Sequence, residues 1–377
     1  MEYSEIVEEL LTMASSPEIR LSYEQCEALR RIAGCRTMEM GGHIAYCPTC
    51  NTYTIVYNPC NHRGCPTCYE KNQIQWKNKL QEKLLPIGHY HLIFTIPDEL
   101  KYVWLGERRN IEDTFFHCVQ QAFKKLKKET GLLFGIIMVF QTHGRGLSYK
   151  PHMHCIVTSG GLNEKKEWVA FNSISYNLLR DTVKELFRPH ILKKVRAENR
   201  NAVDTFFRIS DERGWKVHPV YHQKSGNEIA AYLSRSIAGV VIDMHQDFNI
   251  DKEKGTIRFK EMHEGKEIWT TLKQDIFIER YLNHIPPKGS VMIRNYGLYS
   301  NRHKEELEKV RKERQERNKK ETDQEEKEEG KELCPVCKTE LIIKEIFLPG
   351  EYPQLLRGTL LNSLRDPPKH GELLRIA

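Results

Sequence analysis

The chain has 377 residues, 58 Lys+Arg against 51 Asp+Glu and 11 cysteines, enough for two or three domains with a buried core, and its 39% hydrophobic content excludes wholesale disorder. The longest apolar stretch, around Leu132 to Phe140, falls short of the roughly 18 residues needed to cross a bilayer, so no membrane partner is expected. The start, MEYSEIVEELL, is acidic and amphipathic and lacks the basic-then-apolar order of a secretory signal, which predicts a cytoplasmic protein.

Residues 1–34 read as one or two helices, with apolar spacing at Ile6, Leu10 and Leu11 and again at Leu29 and Ile32, and serve to support the cysteine-rich segment after them. Residues 35–87 form that second segment. Its run CRTMEMGGHIAYCPTCNTYTIVYNPCNHRGCPTC, Cys35 to Cys68, is poor in bulky aliphatics and cannot hold a core unaided, which points to metal. Seven of the eleven cysteines lie between Cys26 and Cys68, and in a reducing compartment such clustering favours metal ligation over disulfides. Cys47-x2-Cys50 and Cys65-x2-Cys68 are two knuckles separated by 14 residues, a spacing suited to four thiolates around one tetrahedral structural Zn²⁺. Cys35, His43, Cys60 and His62 are possible further zinc ligands, although Cys35 and Cys60 also suit burial as small hydrophobes. Asn51 to Tyr57 alternates as a short strand between the knuckles, and a helix runs from Cys68 toward Leu85.

Residues 88–302 carry the strand-like runs HYHLIFTIP (89–97), GIIMVFQT (135–142) and HMHCIVTS (152–159), separated by helical stretches such as Ile111 to Lys128 and Asp181 to Leu186. Regular βαβ repeats and Gly-rich phosphate loops are missing from the sequence. The expected class is α+β, an antiparallel sheet backed by helices behind a zinc-binding N-terminal domain. Residues 303–333 hold 10 Lys+Arg and 12 Asp+Glu with almost no apolar content, so they are expected as an exposed helix or a disordered linker. The remaining chain then holds 48 basic against 39 acidic residues; that excess suits a polyanion such as nucleic acid, and equally a merely solvated surface. Residues 334–377 read as a tail with half a metal site, Cys334-x2-Cys337.

Two constellations carry possible chemistry. In the run from Tyr149 to Val157, His152 and His154 stand at i and i+2 on a strand, so both imidazoles share a face while Met153, Cys155 and Val157 take the other. Two neutral imidazoles can hold a divalent ion with open positions for substrate; an ordinary pair of exposed histidines has the same pattern. The segment Gly226 to Ile237 reads as a helix capped by Asn227, with Ile229, Leu233 and Ile237 as its buried stripe. Tyr232 at the stripe's edge suits a core position, or projects into a site as a nucleophile with Arg235 contacting DNA phosphate. Periodicity leaves both open.

Several blocks in order carry a resemblance: GGHIAYCPTC with YNPCNHRGCPTC, LLPIGHYHLIFTIPDEL, FQTHGRGLSYKPHMHCIVTSGGL, AAYLSRSIAGVVI and IPPKGSVMIRNYGLYSNR. Across nearly its whole length the chain resembles the HUH transposases of the insertion-sequence ninety-one type, which move by a rolling-circle, single-stranded route. The resemblance implies that 35–87 is the transposase zinc domain and 88–302 an HUH nuclease domain. It implies that His152 and His154 hold catalytic Mg²⁺ or Mn²⁺, with Gln141 as third ligand and His143 second choice. It also implies that Tyr232 attacks the scissile phosphate of single-stranded DNA at element ends and target, leaving a 5′-phosphotyrosine and a free 3′-OH, with the protein at the nucleoid when it acts. Related readings are an HUH replication initiator or relaxase, and a catalytically inactive zinc-containing DNA-binding descendant. Two departures from the family pattern stand out: Ser236 occupies the place of a second tyrosine, and Gly64 that of a histidine before the second knuckle.

Overall fold

The computed structural model describes residues 11–12, 21–209, 214–225, 228–231, 247–263, 266–318, 332–357, 370–371 and 373–374. They fall into two units, one taking the described residues up to Asn72 and from 332 onward, the other those from Gln73 to 318.

In the first unit, helix α1 (Tyr23–Ala33) starts at Ser22, whose hydroxyl accepts from the Gln25 N–H while the Gln25 carboxamide accepts from the Ser22 N–H. This reciprocal cap satisfies two otherwise orphaned donors. Ala28, Leu29 and Ile32 are its buried face, as the spacing predicts. Strands β1 (Gly42–Cys47) and β2 (Thr52–Tyr57) form an antiparallel hairpin with Gly42 opposite Tyr57 and Cys47 opposite Thr52. Helix α2 (Pro66–Lys83) opens at the second knuckle.

The second unit contains β3 (Gly88–Thr95), helices α3 (Lys101–Gly106) and α4 (Arg108–Thr130), β4 (Leu133–His143), β5 (Tyr149–Leu162), β6 (Trp168–Ala170), helices α5 (Tyr176–Lys194) and α6 (Arg200–Ile209), and β7 (Lys216–Ser225). Next come a three-stranded antiparallel sheet, β8 (Phe248–Asp251), β9 (Thr256–His263) and β10 (Lys266–Lys273), then α7 (Gln274–Asn283), β11 (Ile293–Gly297) and α8 (Lys304–Asn318). The main sheet runs β11-β4-β5-β3-β7 with β6 beside β5, every neighbour antiparallel. Helices pack on it, and the fold is α+β as expected.

The alternation along β5 decides the two faces. Met153, Cys155 and Val157 join Leu92, Phe94, Met138 and Phe140 under Phe115, Phe116 and Phe187 from the helices, and Trp104 stacks on Phe140 with ring centroids 5.3 Å apart. These aromatics are core. On the opposite face Ile137, Val139 and Ile156 are covered by Leu80, Leu84, Ile229, Ala230, Tyr299, Leu307 and Val310.

The described part of the charged segment is a helix, α8, mostly exposed, with Leu307 and Val310 buried; two apolar side chains one turn apart suffice to dock its first part. The C-terminal segment pairs with the N-terminal sheet. Strand β12 (Ile342–Phe347) pairs with β1, strand β13 (Leu373–Leu374) pairs with β2, and the four-stranded order is β12-β1-β2-β13. Phe347 and Leu356 are buried with Ile44, Ile55 and Tyr57, about 2–3 kcal/mol of transfer free energy for each large side chain. Gly41 is shaped for this approach: at φ +65° its place for a Cβ lies 2.7 Å from the Phe347 carbonyl oxygen.

Candidate active site and metal centres

On β5, His152 stands opposite Thr95 of β3 and Gln141 of β4, and His154 stands opposite Ile93 and Val139. Facing residues of paired strands share a side, so His152, His154 and Gln141 occupy the face that carries Ile137, Val139 and Ile156. His91 on β3 and His218 on β7 pair into the same face, opposite Ile156 and Ile93 respectively. His154 is buried, with Nε2 2.9 Å from Gln141 Oε1 and Nδ1 2.8 Å from His91 Nε2. His152 is half-buried, its Nδ1 donating to the Lys150 carbonyl at 2.7 Å, which leaves the Nε2 lone pair for a ligand. Burial pushes His152 and His91 down to about 4 and His154 well below the ordinary imidazole range. Every ring here is neutral at pH 7, the form in which imidazole ligates metal.

The donor set fits a divalent ion. His154 Nε2 and the Gln141 carboxamide oxygen are hydrogen-bonded; in the tautomer whose Nδ1–H donates to His91, Nε2 would present its lone pair to an ion that the Gln141 oxygen shares, with His152 Nε2 on the same side of the sheet. Two imidazole nitrogens and a carbonyl oxygen with open positions make a mixed donor set that a divalent transition ion such as Mn²⁺ accepts more readily than Mg²⁺, whose preferred ligands are oxygens. A cleft of about 330 Å³ beside this face is lined by Thr95, Asp98, Glu99, Lys150, Lys216 and His218.

The loop before β5 is held from several sides. Gly146, at φ +62°, donates its N–H to the Glu261 carboxylate at 2.9 Å and accepts from the Arg280 guanidinium at 2.6 Å. His284 bridges Thr142 Oγ1 at 2.9 Å and the Leu147 carbonyl at 3.0 Å. His143, the second choice as third ligand, lies beside His284 with ring centroids 6.2 Å apart and is pushed down by burial.

The cysteines gather differently from the sequence expectation. Cys35, Cys60, Cys65 and Cys68 bring their four sulfurs within 4.8 Å of one another, with Cys35 to Cys68 at 3.5 Å and Cys60 to Cys68 at 3.8 Å. Four sulfurs about 2.3 Å from one Zn²⁺ stand about 3.8 Å apart in a tetrahedron. Hydrogen bonds among the four thiols divide them: with Cys35 the first cause, Cys65 is pushed far down and Cys68 down to about 7, while Cys35 and Cys60 are pushed up. The backbone N–H of Cys60 points at Cys35 Sγ and that of His62 at Cys60 Sγ, both at 3.4 Å.

Cys47 and Cys50 do not join Cys65 and Cys68; their neighbours are Cys334 and Cys337. The reason is length. Each hairpin strand has six residues, about 20 Å at about 3.3 Å per residue, so the knuckle at the tip and the cysteines at the base cannot share an ion. Neither histidine is grouped with either set of four cysteines: His43 Nε2 lies 2.7 Å from the Glu332 carboxylate, and His62 Nδ1 accepts the Gly64 N–H at 3.1 Å. Tyr232, Arg235 and Ser236 lie outside the described residues. The helical turn before them, residues 228–231, is described, and Ile229 is buried as its stripe position predicts.

Two family models match the chain in order: "Transposase zinc-binding domain" over residues 6–96 and "Putative transposase" over residues 135–306. Together these matches support a transposase of the insertion-sequence ninety-one type with an N-terminal zinc-binding domain. The transposase is similar to "Putative transposase y4qJ" of Sinorhizobium fredii, 27% identical over 308 residues that cover 76% of this chain and 77% of the relative. It is also similar to "Transposase for insertion sequence element IS801" of Pseudomonas savastanoi pv. phaseolicola, 26% identical over 294 residues, 74% of this chain and 71% of the relative. No solved structure matches it. Its zinc-binding domain contains all of Cys35, Cys60, Cys65 and Cys68, whereas Cys334 and Cys337 lie beyond both matched regions. Among the described residues no helix is long and apolar enough to cross a membrane.

Sequence reasoning missed His91 and His218. The signal for His91 was in view: His89-Tyr90-His91 repeats, on a neighbouring strand, the spacing that singled out His152 and His154. His218 stands without such a pattern and required the β3–β7 pairing.

Proposed function

We propose that this transposase nicks and rejoins single-stranded DNA at the ends of its insertion element, with Tyr232 as nucleophile and Mg²⁺ or Mn²⁺ held by His152, His154 and Gln141. The observation that carries the reading is the meeting of His154 Nε2 and Gln141 Oε1 at 2.9 Å, beside the half-buried His152, on a face where every imidazole is neutral. A second observation supports Tyr232: Ile229 and Ala230, three and two residues before it in the sequence, pack with Val139 and Ile156 on the histidine face.

When bound, the ion supplies positive charge to the scissile phosphate, which matters because a phenol near its ordinary pKa of about 10 is a weak nucleophile at pH 7. The Tyr232 oxygen loses its proton and bonds to phosphorus as the bond from phosphorus to the 3′ oxygen breaks; that oxygen leaves and takes up a proton as a free 3′-OH. The 5′-phosphotyrosine retains a phosphoester that a 3′-OH attacks in the reverse sense, so rejoining needs no outside energy source. Lys150 fixes the His152 ring through its carbonyl, and Lys150 and Lys216 line the adjacent cleft, suited to flanking phosphates. Arg235, three residues after Tyr232 in the sequence, would neutralise a further phosphate. The site of action is the cytoplasm, at the nucleoid while DNA is being processed.

Cleavage of labelled single strands from the DNA flanking the gene tests this. It is expected to require Mn²⁺ or Mg²⁺, to vanish in His152→Ala, and in Gln141→Ala to need about 10- to 100-fold more metal for half-maximal rate. Cleavage that survives chelation, or that is unchanged in both variants, would overturn the assignment.

A further inference from the structure

The four remaining clustered cysteines come from opposite ends of the sequence. Cys47 closes β1 and Cys50 lies in the turn after it; Cys334 and Cys337 sit at a turn just before β12. Their sulfurs all lie within 4.8 Å of one another, with Cys47 to Cys337 at 3.4 Å and Cys50 to Cys334 at 3.9 Å. These separations are far beyond the roughly 2.05 Å of a disulfide and bracket the edge of about 3.8 Å expected when four sulfurs surround one Zn²⁺. The backbone is arranged for two knuckles: the Cys50 N–H points at Cys47 Sγ at 3.4 Å, and the Lys338 N–H bonds to the Cys334 carbonyl at 3.0 Å. Asn51 and Lys338, each one residue past a knuckle, both adopt left-handed φ, +52° and +61°. Two pairs from distant sequence thus have the same local form.

We propose that Cys47, Cys50, Cys334 and Cys337 bind a second zinc ion, which clasps the C-terminal segment onto the N-terminal domain. Binding replaces the thiol protons, which leave to solvent, with four Zn–S bonds, and involves no redox change. The clasp sits at one end of the β12–β1 ladder: Tyr46, next to Cys47, pairs with Ile342, and Gly42 at the other end pairs with Phe347. Metal at the hairpin tip, the ladder and the burial of Phe347 therefore fasten the same contact along its length. The Thr49 and Thr339 hydroxyls, 3.0 Å apart, join the two knuckles beside the sulfurs. The zinc domain is accordingly assembled from both ends of the chain, and its second ion depends on residues that the family's zinc-binding region does not include. None of this rests on the nuclease chemistry.

The test is the zinc content of the full-length protein by mass spectrometry of the metal. Wild type is expected to hold two zinc ions per chain, the double variant Cys334→Ser, Cys337→Ser one, and Cys337→His two, because imidazole replaces thiolate as a ligand. One ion in wild type, or two in the double variant, would overturn the proposal. Alkylation of the unmodified protein gives a second readout that no folding defect can confuse. Cys334 and Cys337 are expected to resist at least about 10-fold longer than the exposed Cys26 until a chelator is added; labelling as fast as Cys26 in zinc-loaded protein would refute the site.

Discussion

Lowering the pH tests the neutral, buried histidines of the sheet, and His89 is the cleanest reporter because it belongs to no proposed ligand set. It is fully buried; its Nδ1–H donates to the Ile87 carbonyl at 3.0 Å, and its Nε2 accepts the Tyr299 hydroxyl at 2.6 Å. The Tyr299 oxygen in turn accepts the Leu85 N–H at 3.1 Å, so the network is satisfied with the ring uncharged. Burial lowers His89 from 6.5 to about 4. A folded-state value below the unfolded one means that between these two the unfolded chain binds a proton that the native ring refuses, so the contribution is whole above about 6.5 and is lost as pH falls through about 4. Two and a half units at about 1.36 kcal/mol each give about 3 kcal/mol. Urea unfolding between pH 7.5 and 4, for wild type and His89→Gln, isolates it: acid effects on zinc sites and other histidines are common to both and cancel in the difference. Wild type is expected to lose about 3 kcal/mol more than the variant across this range. Parallel curves would rule out a native ring that refuses its proton.

Phe347→Ala is expected to cost about 3–4 kcal/mol and to speed amide exchange in β1 and β12, measured by hydrogen exchange, while β4 and β5 keep their protection. Chelation of zinc should abolish protection in β1 and β2 and spare β3 to β5, since the zinc unit has a small core and the sheet a large one. Gly41→Ala is expected to cost at least about 1 kcal/mol in thermal unfolding, through its left-handed φ and the Phe347 carbonyl in its path.

Strands β3, β4 and β5 were legible because their apolar runs alternate and end in turn residues, and β5 puts Met153 and Cys155 on one face and the histidines on the other, as period two requires. The zinc domain was legible in composition and not in pairing. Linear nearness of Cys47, Cys50, Cys65 and Cys68 suggested one ion, yet the β1–β2 hairpin between the two knuckles holds them apart, and Cys60 closes the site at its base. Cys334 and Cys337 looked like half a site because their partners lie almost 290 residues away, a distance that no local spacing encodes. Similarly, IIKEIF did not announce a strand of the N-terminal sheet, since pairing partners are a tertiary property. The burial of Leu307 and Val310 shows how two apolar residues redirect a helix that its charge pattern marks as solvent-exposed.

The proposed chemistry is covalent, so it is probed most closely by a search for a denaturation-resistant link between protein and DNA. Purified transposase with Mn²⁺ and labelled single strands from the flanking DNA is expected to form one adduct, mapped by peptide mass spectrometry to Tyr232 and missing from Tyr232→Phe. An adduct at another residue, or strands bound and none linked with either metal, would contradict Tyr232 as the nucleophile.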